Sequence, residues 1–169
     1  MKYTIYLGLG SNIGNRAENI FTALSFMQSS LLIRIIKVSS LYETSPIGPK
    51  QKPFYNIAIK AKTNLNPCDL LFFLKRLEQI LGRKKTIKWG PRIIDIDILF
   101  FNKKVLNNYL LSIPHKDVQN RLFVLVPLNE IEKNLLHPTL NKTIQLILKE
   151  KLLTLKKQKV KIIKINSDN

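Results

Sequence analysis

The chain has 169 residues, with 28 Lys and Arg against 11 Asp and Glu, a formal net charge of +17. Hydrophobic residues make up 45% and charged residues 23%, which excludes a disordered or collagen-like chain and suits one globular domain with a buried core and at most a short appendage. No apolar run of about 18 residues and no basic-then-apolar leader occurs, so neither a membrane-spanning nor a secreted chain is expected. The single cysteine, Cys68, cannot form an internal disulfide, and a reducing cytoplasm is the expected setting. The basic excess fits nucleic acid, an anionic membrane surface, a polyphosphate substrate or a Lys-rich genome, and by itself does not choose among them.

Residues 2–9 are β-rich, and a turn at Gly10–Gly14 leads to residues 16–29, where Ile20, Phe21, Leu24 and Met27 recur at helical spacing. Two strands are expected at 31–42 and 54–62, separated by a ten-residue Pro- and Gly-marked loop, Thr44 to Pro53, long enough to suggest function. Helical periodicity returns at 67–81, with Asn66 as cap, Pro67 in the first turn and Gly82 as the stop. A basic segment, Arg83 to Arg92, precedes a buried strand at 93–101, a short return strand is expected at 103–106, and helices are expected at 119–132 and 142–150.

The β-α-β-β-α-β order over residues 2–101 predicts an α+β fold with a ferredoxin-like βαββαβ core, a mainly antiparallel sheet with helices packed on one face, plus C-terminal helices. Residues 1–150 read as a single domain and 151–169 as a Lys-rich extension. From Lys149 onward seven Lys face only Glu150 and Asp168, with Val160, Ile162, Ile163 and Ile165 interleaved. This tail reads as an added strand, a docked amphipathic segment or a partly disordered end, peripheral and without a catalytic role.

The sharpest chemical feature is Arg92-Ile93-Ile94-Asp95-Ile96-Asp97-Ile98. On a strand, residues two apart share a face, so Asp95 and Asp97 project together while Ile94, Ile96 and Ile98 enter the opposite side. Two carboxylates on one apolar strand repel and resist burial unless a cation compensates them; the plainer alternative is a solvent-facing strand edge. Hard oxygen ligands without neighbouring Cys or clustered His favour Mg²⁺ over zinc, and Mg²⁺ commonly accompanies a nucleotide polyphosphate. The implied class is metal-assisted phosphoryl transfer.

Arg83, Lys84, Lys85, Lys88 and Arg92 lie just upstream, where planar guanidinium forks can bridge phosphate oxygens, or where the loop is simply solvated. Trp89 in that loop reads equally as a core anchor or as a lid over a flat substrate. Gly8 to Gly14 has the form G-x-G-x-x-x-G, which is not the dinucleotide fingerprint and reads better as a structural turn capped by Ser11 or Asn12. No phosphate-binding G-x-x-x-x-G-K-[ST] loop exists. His115 and Arg121 could clamp phosphates, and His137 reads as a turn residue; two distant histidines support neither a zinc site nor a catalytic triad.

Taken together, Leu-Gly-Ser-Asn at 9–12, Tyr-Glu-Thr-Ser-Pro-Ile-Gly-Pro at 42–49, Phe54 with Asn56, Glu78, Arg83, Trp-Gly-Pro-Arg-Ile-Ile-Asp-Ile-Asp-Ile at 89–98, Ile-Pro-His at 113–115 and Asn-Arg-Leu-Phe-Val-Leu-Val-Pro-Leu at 120–128 resemble the 6-hydroxymethyl-7,8-dihydropterin pyrophosphokinases of folate biosynthesis. The resemblance covers about residues 3–148 and would make residues 1–150 a pyrophosphokinase domain. It implies transfer of diphosphate from ATP to the pterin hydroxymethyl group, giving AMP, with two Mg²⁺ ions held at Asp95 and Asp97. It further implies that Arg83 and Arg92 reach the phosphates from a mobile loop that Trp89 seals. Phe54 and Phe123 would take the two pterin faces, Asn56 its polar edge, and Thr44, Ser45 and Ile47 the loop wall. Glu78, Lys85, Arg92, Ile98, Ser112, His115 and Arg121 would serve ATP.

The sequence departs from the family pattern at Leu110, where an Arg is common, at Lys116, where a Tyr occurs and where the lysine could replace the missing cation, and in a loop between Gly48 and Asn56 that is one residue short. A monomer acting on small molecules, without nucleic acid or membrane, is expected. The competing classes are a basic RNA-binding module on the same fold and a two-metal phosphohydrolase, in which water in place of the pterin hydroxyl accepts the phosphoryl group. The former lacks the aromatic-bearing strand that such a module exposes.

Overall fold

The computed structural model of the chain describes residues 1–84, 86, 87 and 89–163. Strand β1 (Tyr3–Ser11) is followed by helix α1 (Arg16–Ser29), which starts where the Asn15 side chain accepts a hydrogen bond from the Glu18 amide. Gly10 and Ser11 therefore belong to the strand, two residues past the expected end, and the turn is carried by Gly14 at φ +64°.

The strand expected at 31–42 is two strands, β2 (Ile33–Val38) and β3 (Leu41–Thr44). The break falls at buried Ser39, whose amide donates to the Ala58 carbonyl while its Oγ accepts from the Ala58 amide, 2.9 and 3.0 Å. A side chain thus replaces the ladder locally. Strand β4 (Phe54–Thr63) is long enough for β3 to pair with Phe54–Asn56 and for β2 to pair with Ile59–Thr63.

Helix α2 (Pro67–Ile80) begins at Asn66, whose Oδ1 accepts from both the Cys68 and Asp69 amides at 3.0 Å. Replacing this cap by alanine strands both donors, so Asn66→Ala is expected to cost about 1 kcal/mol, read as a lower denaturant midpoint at unchanged slope. An unchanged midpoint would contradict the role given to this cap.

Strand β5 (Asp95–Phe101) lies at the edge of the sheet, antiparallel to β1. Tyr6 faces Phe100 and Leu7 faces Ile98, so Leu99 is an extra residue on β5, a bulge that turns Leu99 and Phe100 toward one side. The expected return strand is found slightly later, as β6 (Leu106–Asn107) paired with β7 (Ser112–Ile113).

A short 3₁₀ turn (Val118–Asn120) and helix α3 (Leu122–Glu132) occupy the span expected as one helix at 119–132. Lys142 and Thr143 form strand β9 of a hairpin with β8 (Leu136–His137), and helix α4 runs over Ile144–Thr154. Strand β10 (Val160–Ile163) then pairs with β3.

The sheet order is β10-β3-β4-β1-β5, with β2 also on β4, so the ferredoxin-like order β5-β1-β4-β2 is present. Helices are not confined to one face. Ile5, Leu7, Leu9, Ile57, Ile59, Ile96 and Ile98 meet α1 and α2 through Ile20, Met27, Leu70 and Leu74. On the other face Tyr6, Ala58, Leu99 and Phe100 meet α3 and α4 through Leu125, Leu128 and Ile147. The strands are thus apolar on both faces toward one end, which period-2 patterning alone does not reveal. Among the described residues no helix is long and apolar enough to cross a membrane.

Candidate active site

The face that carries α3 and α4 is left open where β1 contributes no side chains. Gly8 pairs with Asp97 and Gly10 with Asp95 on one flank, and with Ala58 and Asn56 on the other. A Cβ on Gly10 would come within 2.7 Å of Asn56 Oδ1, so only glycine leaves the floor flat at that point. The resulting cleft has a volume of about 350 Å³. Gly8 and Gly10 are therefore strand residues under the cleft, and not members of a turn.

All seven residues expected around a pterin line this cleft: Thr44, Ser45, Ile47, Phe54, Asn56, Trp89 and Phe123. They come from β3, the loop after it, β4, the basic loop and α3. Asn56 Nδ2 donates to Thr44 Oγ1 at 2.7 Å, and this buried pair orients the amide on the cleft wall. Arg92, Asp95, Asp97 and Arg121 line the same space.

The two carboxylates are treated very differently. Asp95 receives Arg83 Nη1 at 2.5 Å and Arg92 Nη1 at 2.7 Å, one on each oxygen. Burial pushes its carboxyl up, but the two guanidiniums outweigh that and hold it below the ordinary aspartate value. The Asp97 side chain forms no hydrogen bond or ion pair among the described residues. Burial, with the Asp95 charge adding to it, pushes the Asp97 carboxyl above its ordinary value. Burial likewise lowers His115, against the pull of Asp97, which identifies these two groups as electrostatic neighbours.

Behind Asp95 the charges continue inward. Arg83 Nη1 also meets Glu78 Oε1 at 2.6 Å, and Lys75 Nζ meets the same oxygen at 2.9 Å. Glu78 is 2% exposed and accepts the outward amide of Ile96 at 2.7 Å, so it caps the free edge of β5 while it holds Arg83. Burial raises its pKa, against the pull of Lys75 and Arg83.

The two loops that flank the cleft are clasped through Asn12 and Gln51. Asn12 donates to Gln51 Oε1 at 2.9 Å and to the Lys52 carbonyl, and its Oδ1 accepts from the Arg92 amide at 2.8 Å. Gln51 Nε2 donates to the Trp89 carbonyl at 2.7 Å. Trp89, at φ +59°, packs on Gly48, where an added Cβ would stand 3.0 Å from Trp89 Cβ. Trp89 is half exposed at the edge of the cleft, not a core anchor.

Of the other expected positions, Ile98, Ser112 and His115 lie apart from this lining, whereas Arg121 borders it. Ile98 is buried in the core beneath α1 and α2, and Ser112 donates to Asn107 at 3.0 Å on the small β6-β7 hairpin. His115 donates its amide to the Leu99 carbonyl, and its Nδ1 accepts from the Asp117 amide. Arg121 meets Asp117 at 2.6 Å, and its guanidinium lies 5.6 Å from the centre of the Phe123 ring. Lys85 lies outside the described residues. The lining also holds Leu99, Asp117, Asn120 and Gln158, which sequence reasoning missed. Strand alternation opposite the Asp pair could have singled out Gly8 and Gly10, whereas nothing local singles out Gln158.

The donor set suits a hard cation bound in part by other oxygens. Asp95 and Asp97 share a strand face, Asp97 has no cation of its own among the described residues, and no group of three or more His, Cys, Asp or Glu gathers there. Such a pair cannot complete a shell alone, which matches Mg²⁺ with its retained waters and phosphate ligands.

A family model described as 7,8-dihydro-6-hydroxymethylpterin-pyrophosphokinase (HPPK) matches residues 6–133. The chain is 43% identical over 143 residues to the 2-amino-4-hydroxy-6-hydroxymethyldihydropteridine pyrophosphokinase of Aquifex aeolicus, covering 84% of this chain and 88% of that protein. The enzyme of the same name from Bacillus subtilis is 42% identical over 132 residues, covering 78% and 79%. Among solved structures, wild-type Plasmodium falciparum HPPK-DHPS with pteroate superposes with a TM-score of 0.75 at 20% identity, a likeness of fold. It covers 92% of this chain, which spans 45% of that longer one. With sequence motifs, sheet order and close relatives in agreement, the chain belongs to the 7,8-dihydro-6-hydroxymethylpterin-pyrophosphokinase family and is a diphosphate-transferring enzyme of folate biosynthesis.

Proposed function

We propose that the glycine-floored cleft binds 6-hydroxymethyl-7,8-dihydropterin beside ATP, and that Asp95 and Asp97 hold two Mg²⁺ ions there. The observation that carries this reading is the pairing of Asp97, whose side chain has no partner among the described residues, with an arginine-bound Asp95 on one face of β5, beside a cavity walled by Phe54, Asn56 and Phe123. Bound at those carboxylates, the ions would supply positive charge that offsets charge developing on the polyphosphate during transfer.

The chain's own residues supply position and charge. Phe54 and Phe123 sandwich the flat ring, the Asn56 amide and Thr44 meet its polar edge, and Ser45 and Ile47 close the side. The pterin hydroxyl oxygen forms its new bond to the β-phosphorus as the bond from that phosphorus to the AMP oxygen breaks. Arg83 and Arg92 stand where that charge develops, while His115 and Arg121 face the phosphates from the α3 side. Trp89 and the loop bearing it exclude water. Glu78 acts by holding Arg83, Ile98 offers the nucleotide its backbone, and Ser112 extends the ATP side.

The enzyme is read as a cytoplasmic monomer, and the cytoplasmic setting suits its free Cys68. The test is a coupled assay for AMP with ATP, the reduced pterin and Mg²⁺. AMP formation that requires both pterin and Mg²⁺ is expected. A folded sample that makes no pterin-dependent AMP sinks the proposal, and release of inorganic diphosphate without pterin would favour the phosphohydrolase.

A further inference from the structure

The segment after α4 is more than a sheet extension. Gln158 lies on the cleft, 36 residues from the amide it contacts. Its side-chain Oε1 accepts from the Leu122 amide at 2.8 Å, and its Nε2 donates to the Asn120 carbonyl at 3.0 Å. These are the two peptide groups that flank Arg121, which is extended at φ −125°, ψ 105°. One primary amide thus pairs with both, as a neighbouring strand would. Arg121 is the N-cap of α3 and makes no capping bond with its own side chain, so Gln158 supplies an acceptor that the first helical amide otherwise lacks.

The next residue reaches the opposite wall. The Ser45 amide donates to the Lys159 carbonyl at 3.1 Å, and the Lys159 amide donates to Ser45 Oγ at 3.0 Å. Val160 then enters register with Thr44. Residues 158–160 therefore join the start of α3, which carries Phe123, to the Thr44–Ser45 wall. All three lie beyond residues 6–133, the span that carries the family match.

We infer that Gln158 is a positioning residue of the pterin site, setting the separation between the Phe123 wall and the Ser45 wall. The inference rests on the pterin reading of the cleft. Arg121 keeps its own anchor at Asp117, so loosening this strut acts on the flat substrate that needs both walls and leaves the phosphate contacts in place.

Steady-state kinetics on the full chain tests this. Gln158→Leu keeps the bulk but strands the Leu122 amide and the Asn120 carbonyl. It is expected to raise the pterin KM about tenfold while kcat and the ATP KM move less than about twofold. Gln158→Glu, which keeps the acceptor for Leu122 and loses the donor for Asn120, should give an intermediate rise and serves if the leucine variant does not fold. Lys157→Ala, on the exposed turn before Gln158, should leave every parameter unchanged. An unchanged pterin KM in the folded variants, or an equal fall in all parameters with a lowered melting temperature, overturns the inference. Phe123→Ala separates the two readings: if it leaves the pterin KM unchanged, the pterin site itself is wrong, and if it raises that KM while the Gln158 variants do not, only the strut fails.

Discussion

Asp97→Asn is expected to lower turnover by about 10³-fold, equivalent to roughly 4 kcal/mol of transition-state stabilisation, in a protein that remains fully folded. The substitution preserves shape and removes only the charge. Asp95 alone cannot replace the pair, because its carboxylate is already shared with Arg83 and Arg92. The rate should also require more Mg²⁺ for half-saturation, measured by titrating the metal in the AMP assay. A variant with ordinary rate and ordinary metal dependence would contradict the assignment.

The same substitution should make the fold more stable near neutral pH. Burial and the nearby Asp95 charge raise the Asp97 pKa, so its charged form penalises the folded state at pH values above the ordinary carboxylate range. Below that range the carboxyl is protonated in folded and unfolded chains alike and the penalty disappears. The melting temperature of Asp97→Asn should therefore exceed that of the parent at pH 7, with the gap closing in acid. Higher stability with lost activity marks a group kept for its chemistry.

Arg83→Ala is expected to reduce kcat by about 10²–10³-fold with a smaller change in either KM, as befits a charge needed most where phosphoryl charge develops. Its structural role adds a second signature. Arg83 bridges Glu78 and Asp95, and without it buried Glu78 retains, among the described residues, Lys75 and the Ile96 amide. A lower denaturant midpoint should accompany the loss of rate. Arg83→Lys should rescue little of either, because a single ammonium cannot reproduce the guanidinium fork between two carboxylates. Rapid turnover in Arg83→Ala, or a rise in KM with kcat unchanged, would refute this role.

The parts that were legible in sequence were those set by local periodicity and local chemistry. The alternation around Asp95 and Asp97 placed both acids on one face, and Asn66, Pro67 and Gly82 bounded α2 within a residue or two. The resemblance placed Phe54 and Phe123 at the site, where apolar pattern alone would have buried them in the core. What escaped depends on partners far along the chain. The break at Ser39 needs Ala58, the Leu99 bulge needs the register of β1, and the second helical layer needs α3 and α4 to fold back over the sheet. Gln158 is the extreme case, since a lone glutamine among lysines carries no pattern until Asn120 and Leu122 stand beside it.

The glycine floor bears on how an inhibitor of this site could lose its grip. A compound that rests on β1 at Gly10 contacts main chain, with no side chain of that residue to exchange. The simplest change at that position, to alanine, drives a methyl group toward Asn56 Oδ1 at 2.7 Å and disturbs the wall of the proposed pterin site. Escape by mutation is therefore directed to the exposed Ile47 and Trp89 rim, and a compound that draws its affinity from the floor leaves resistance little room to evolve.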